Sequence, residues 1–237
     1  DLSLLSQVSA LAEEIKQRLE DMGRSGLDGL INNAGTFSYW LTITPEGLET
    51  QWAVNHLAPF LLTHALLPWL QKAPAGRVVT VSSGSHYHTR LRWQDIQLRR
   101  GYNGLLAYKQ TKLANVLFTA ELNRRLGMAS TVRAFAADPG LVKTDIGLKI
   151  DSGLARWVWK LRRAGGVSPE VSARGVAYLA LEPSIQDSPD IYWKDSQPKA
   201  PSSYALEAVN GWRLWEISTQ MCGIKESESL TGAAEPA

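Results

Sequence analysis

Three short apolar runs, each closing on small or turn-forming residues, constrain the fold most: "LDGLINNAG" at 27–35, "RVVTVSS" at 77–83 and "STVRAFAADPG" at 130–140. Apolar runs of this length, β-branched in the second case and bounded by turn signals, read as buried strands. Between them lie stretches with helical spacing at 45–72 and 105–126. Strand, helix and strand in alternation close by right-handed crossovers, so the pattern predicts an α/β chain with a doubly wound, mostly parallel sheet. Ligands bind such sheets beyond the carboxyl ends of the strands, which is where Asn33, Ser83 and Pro139 fall.

The remaining segments fit around that frame. Leu5, Val8, Leu11, Ile15 and Leu19 space a surface helix over residues 2–20. Pro59 removes a backbone donor, and the long helix 45–72 is expected to bend there. Arg124 and Arg125 followed by Gly127 mark a helix end. A helix over 169–181 and a short strand at "DIYW" come next, then a mixed tail. Residues 1–220 read as a single domain and 221–237 as a flexible C-terminal tail, its last twelve residues being "ESESLTGAAEPA".

Composition excludes more than it selects. With 25 basic and 23 acidic residues there is no global field with which to capture nucleic acid. One cysteine, Cys222, rules out a disulfide framework and fits a reducing, cytoplasmic setting. The longest apolar stretch, "LAPFLLTHALLPWL", is interrupted by Thr63 and His64 and reads as a buried helix rather than a membrane span. His86 and His88 form an HxH without a third ligand at suitable spacing, so they read as a surface loop and no metal site is expected. "RLRWQDIQLRR" reads as a solvated, arginine-rich loop, and His56 and His64 as packed or interface residues on an apolar helix.

Chemistry concentrates at "LLAYKQTKLANVLF". Tyr108 and Lys112 are four residues apart on a helix and share a face. A phenol with a reference pKa near 10 exchanges protons poorly at neutral pH unless its phenolate is stabilised, and a neighbouring ammonium does this. At ~4 Å and an effective dielectric of ~20, Coulomb's law gives about 4 kcal/mol, roughly 3 pKa units at most. A carbonyl oxygen meeting such a phenol needs a second partner, for which Ser82 and Ser83 at the next strand end are candidates; Ser82 can equally satisfy backbone groups there.

"NNAG" after one strand, "VSS" after the next, "YKQTK" on the following helix and "PGLVKT" after the third strand, in that order, resemble the short-chain dehydrogenase/reductase superfamily. "LAYKQTKLANVLFTAEL", the 25-residue step from Ser83 to Tyr108 and the C-terminal "RLWEIS" resemble its retinol-dehydrogenase-like branch. The resemblance implies a Rossmann-like NAD(P)-binding domain and hydride transfer to or from a hydrophobic alcohol, aldehyde or ketone. It places Tyr108 as acid–base, Ser83 as the substrate-orienting hydroxyl, Lys112 on the phenol and the nicotinamide ribose, and Asn55 of "QWAVNHLAPF" as the fourth catalytic residue, bending its helix and helping to hold a proton-relay water. Asn33 would line the adenosine side, Asp1 meet the adenine, and Val142 and Thr144 lie near the carboxamide. A homodimer through helices 45–72 and 105–126 is also implied.

The family pattern begins with a strand and a glycine-rich turn for the pyrophosphate, and neither precedes Asp1. The sequence therefore reads as an N-terminally truncated member lacking the first strands, and the 237-residue chain alone is expected neither to bind NAD(P) tightly nor to turn over. On that expectation "LDGLINNAG" would present an exposed edge. The alternative reading is a non-catalytic fragment or pseudoenzyme acting as an interaction module. Residues 141–168 match the substrate lid by position, and within them "GLARWVWKLRRAGG" (153–166) reads either as lid or as a peripheral membrane contact. The tryptophans there and at 193, 212 and 215 predict an apolar substrate pocket.

Overall fold

The computed structural model describes residues 1–140 and 168–225. Helix α1 (Leu5–Asp21) leads into strand β1 (Gly29–Asn32), and a short helix α2 (Thr50–Trp52) runs through a π-helical turn (Ala53–Leu57) into α3 (Ala58–Leu70). Then follow β2 (Arg77–Val81), α4 (Gly104–Leu126), β3 (Arg133–Asp138), α5 (Pro169–Leu181), β4 (Tyr192–Lys194), β5 (Gln197–Pro198), α6 (Ser203–Leu206) and α7 (Ala208–Met221). The sheet order is β1-β2-β3-β4-β5; the first three pairings are parallel and β5 returns antiparallel to β4.

Alternation along the strands divides the core between two faces. Val78 and Ala134 meet Phe60, Phe118 and Trp215 on one side, whereas Val79, Phe135 and Ala137 meet Leu179 and Trp193 on the other. Helices on both faces of a mostly parallel sheet give the expected Rossmann-like α/β architecture.

Several details correct the sequence reading. β1 lies at the sheet edge, pairing with β2 and with Ile31 46% exposed, so the buried-strand reading gives way to the exposed edge that was also expected. The long helix is distorted one turn before Pro59. The proline has no N–H to return to the Asn55 carbonyl, and residues 53–57 widen into the π turn that carries Asn55. The tail from 203 onward is helical as far as Met221; Cys222 and Ile224 beyond it pack against the core, so the boundary placed at 221 cuts into folded structure. Trp193 and Trp215 are 5% and 2% exposed and serve the core, not a substrate pocket, because their rings pack against Tyr178 and Phe135 and against Phe60 and Phe118 respectively. Trp212 is half-buried on α7.

α7 lies along the outer face of α4, with Gly211 against Glu121 and with Arg125 over the Trp215 ring. α1 covers α3 in the same way. Of α4 only Leu105 and Arg124 remain exposed, so the helix faces through which the resemblance implies a homodimer are covered within the chain itself. Among the described residues no helix is long and apolar enough to cross a membrane.

Candidate active site at the carboxyl ends of β2 and β3

Gly104 opens α4 because a Cβ there would overlap the carbonyl of Ser38, and this close approach sets the loop before α4 against the mouth of the site. Asn103 caps the helix by accepting the Leu106 N–H at 2.9 Å. One turn further on stands Tyr108, with Phe37 edge-on to its ring at 5.8 Å between centroids.

Lys112, a turn beyond Tyr108, is 4% exposed and donates to the Val81 carbonyl at 2.9 Å, while its ammonium lies 5.5 Å from the centre of the Tyr108 ring. Asn115 donates to the same carbonyl at 3.2 Å. The two adjacent serines diverge. Ser82 is buried and spends its hydroxyl on the Lys112 carbonyl at 2.7 Å, a structural role that ties β2 to α4. Ser83 accepts the Ser85 N–H at 3.1 Å, capping the turn Gly84–His86, and its side chain faces Tyr108, where it favours the phenolate.

Asn55 is fully buried in the π turn. Its amide clamps the backbone of Thr36 from both sides, accepting the N–H at 2.7 Å and donating to the carbonyl at 2.9 Å, and also donates to Thr111 Oγ1 at 3.1 Å. Thr111 in turn donates to the Tyr108 carbonyl at 2.8 Å. The loop after β1 is thereby fixed to α4, and a Cβ on Gly35 would come within 3.5 Å of Asn55 Oδ1 and 3.6 Å of Lys112 Nζ.

Electrostatically the site differs from the simple pair. Burial pushes the Tyr108 phenol up to about 12; the Ser83 side chain opposes this and the Asp138 carboxylate adds to it. Burial brings the Lys112 ammonium down to about 8. With its ammonium turned to Val81, Lys112 holds the phenol less strongly than the close pair considered from the sequence, and desolvation dominates the phenol. Asp138, missed in the sequence, closes β3: it accepts from Tyr192 Oη at 2.7 Å and from the Gly140 N–H at 3.0 Å, with Lys199 Nζ at 4.0 Å. The HxH reading also changes. His86 is fully buried, since its ring nitrogens meet the Ser83 carbonyl and the Ser202 N–H.

Ser83, Tyr108, Lys112 and Asn55 therefore converge. Asn33 lies apart, exposed at the end of β1, and lines a cavity of about 110 Å³ together with Leu2, Ala34, Val54 and Leu62. Asp1 stands beside Leu2 with its carboxylate accepting the Ser3 N–H at 2.8 Å. Val142, Thr144 and the 153–166 segment lie outside the described residues.

A phenol, a hydroxyl and a buried ammonium thus stand together at the strand ends of a mostly parallel sheet. The family model for short chain dehydrogenases matches residues 1–154, and the chain belongs to that family. It is 36% identical over 226 residues to retinol dehydrogenase 14 of Mus musculus, covering 94% of this chain and 66% of that protein. It is 34% identical to retinol dehydrogenase 12 of the same species, covering 95% and 69%. A crystal structure of an uncharacterized protein from Mycobacterium Paratuberculosis superposes with a TM-score of 0.69 at 36% identity, over 94% of this chain and 74% of that one. The NADPH-bound carbonyl reductase from chicken fatty liver shares the fold, with a TM-score of 0.55 at 24% identity over 85% and 75%. The chain spans 60% to 69% of the length of the curated relatives it matches.

Proposed function

We propose that the full gene product is an NAD(P)-dependent oxidoreductase that moves a hydride between the dinucleotide and a hydrophobic alcohol, aldehyde or ketone. The observation that carries this reading is the convergence of Tyr108, Ser83 and Lys112 beyond β2, braced by Asn55. Relatives named retinol dehydrogenase support an apolar substrate. The complete set of four residues weighs against a non-catalytic interaction module.

The residues present fit one end of the dinucleotide better than the other. Lys112 Nζ and the Tyr108 hydroxyl are donors suited to a ribose, and Gly35 leaves room for close approach beside them. Asn33 and Asp1 are proposed for the adenosine side, Val142 and Thr144 for the carboxamide. For a pyrophosphate the N-terminus of α1 is already filled, because the Leu5 and Ser6 N–H groups donate to the Glu46 carboxylate. When bound, the nicotinamide supplies or takes up the hydride. Ser83 orients the substrate oxygen and Tyr108 delivers the proton to it, or removes it in the reverse direction. The Lys112 ammonium steadies the phenolate that delivery leaves behind.

Tyr108→Phe in the full gene product is expected to lower turnover by about 10²- to 10⁴-fold while dinucleotide affinity falls by no more than about tenfold, the worth of one hydrogen bond, read from absorbance kinetics and calorimetry. Near-parental turnover would remove Tyr108 from the mechanism. Residues 153–166 are proposed as part of a substrate lid, with a peripheral membrane contact as the alternative. On that alternative, sedimentation with anionic vesicles carries the protein down, and vesicle-independent behaviour would end it.

A further inference from the structure

His86 is a buried titratable group, in contact with Ser83, that the mechanism above leaves unused. Its Nδ1 lies 2.9 Å from the Ser83 carbonyl, and its Nε2 accepts the backbone N–H of Ser202 at 3.1 Å. A backbone N–H can only donate and a carbonyl can only accept, so the two partners fix the ring as the neutral Nδ1–H tautomer. Tyr87 lies against the ring at 4.0 Å between centroids and Tyr192 edge-on at 4.8 Å. Tyr87 Oη donates to the Ala200 carbonyl, and Tyr192 Oη holds Asp138.

We infer that His86 is a positioning residue for Ser83: a neutral imidazole that ties the backbone of this serine to the segment 200–202, so that docking of that segment adds to the local turn in holding the hydroxyl that faces Tyr108. The inference rests on the oxidoreductase reading for its kinetic consequence, not for the bracing itself. The geometry supports it independently at each end. The Ser83 carbonyl receives both the His86 N–H, at 3.1 Å, and Nδ1–H, while the Ser83 hydroxyl caps the same turn. Protonation would turn Nε2 into a donor facing another donor and cut the link. The charged groups facing the ring, Asp138 from β3 and Lys199 after β5, act in opposite senses, and burial holds the imidazole below its ordinary range. The brace is therefore closed at neutral pH.

Ser202 offers a precise test. Its φ of −63° is one that proline adopts, so Ser202→Pro deletes the N–H donor and sets the ring Cδ against His86 Nε2, which parts the two groups. His86→Phe keeps a ring between the two tyrosines and deletes both bonds. In the 237-residue chain, nitrogen NMR should report the Nδ1–H tautomer at neutral pH, and either variant should weaken the Ser83–Tyr108 contact read by nuclear Overhauser effects. In the full gene product each variant should lower kcat by about ten- to a hundredfold with KM within about threefold. The double variant should be no worse than His86→Phe alone, since both remove one connection. Additive losses, the opposite tautomer, or an unweakened Ser83–Tyr108 contact in His86→Phe would overturn the inference. If the parental protein shows no turnover with NAD(P) at all, the oxidoreductase reading fails, and the tautomer and contact measurements still decide the role of His86.

Discussion

At Tyr108 and Lys112 burial acts on both groups in the direction that neutralises them, and the two responses have different consequences for rate. The phenol, raised to about 12, stays protonated across the physiological range and is always ready to donate. The ammonium, lowered to about 8, is charged below that value and loses its charge as pH rises through it. Carbonyl reduction by the full gene product is therefore expected to be level through neutral pH and to decline above about 8, as the cation that steadies the phenolate disappears. Lys112→Arg keeps a positive charge at every accessible pH, so whatever rate it retains should lack the alkaline decline. A parental profile that stays level well past that point would show that Lys112 does not act through charge. The tyrosine–lysine pair was legible in the sequence because four residues on a helix fix a shared face without any tertiary information. The residues alone left Ser82 and Ser83 both open and the family resemblance chose Ser83, as adjacent strand-end residues point to opposite faces and the packing of α4 decides which hydroxyl is spent on Lys112. Asp138 and His86 were invisible as site residues, since their partners Tyr192 and Ser202 are 54 and 116 positions away in the chain.

Among the elements, the helices declare themselves better than the strands. Residues 169–181 and the α4 span are bounded by Pro169, Asn103 and Gly127, each acting through its own local geometry. The pattern of β1 by itself allowed both a buried strand and an exposed edge, because an apolar run of four residues looks the same at the edge of a sheet as at its centre. α7 was missed as an element although its purpose is plain in three dimensions: Trp215 fills the space between Phe60 and Phe118, with ring centroids 4.9 and 6.0 Å away, and the Arg125 guanidinium lies 4.5 Å above it. His56, held well below its ordinary range at about 3 by burial, joins the π turn to α7 through Ser218 Oγ at 2.8 Å. Removing a large buried aromatic leaves a cavity in addition to the lost transfer free energy, so Trp215→Ala is expected to destabilise the chain by about 3–5 kcal/mol. Denaturant unfolding followed by circular dichroism measures this. A loss below about 1 kcal/mol would mean that α7 rests on α4 without contributing to the core.

At the scale of the whole molecule, the strand order among the described residues runs from β1 to β4 without reversing. A dinucleotide normally lies across the crevice where that order reverses, with its pyrophosphate on a free helix N-terminus. Here the nicotinamide end of such a site is built, in Tyr108, Lys112, Ser83 and the Asn55-fixed loop, whereas the first turn of α1 already binds the Glu46 carboxylate and β1 presents an open edge. The phosphates carry most of the ligand's charge, and the Glu46 carboxylate at the start of α1 would repel them rather than hold them. Calorimetric titration of the 237-residue chain with NAD(H) and NADP(H) is accordingly expected to show no saturable binding at millimolar concentrations, about the weakest range in which four well-placed donors could be detected. Tight, stoichiometric binding by this chain would mean that the ribose and nicotinamide contacts alone supply the affinity, and that the pyrophosphate cradle is dispensable in this branch of the fold.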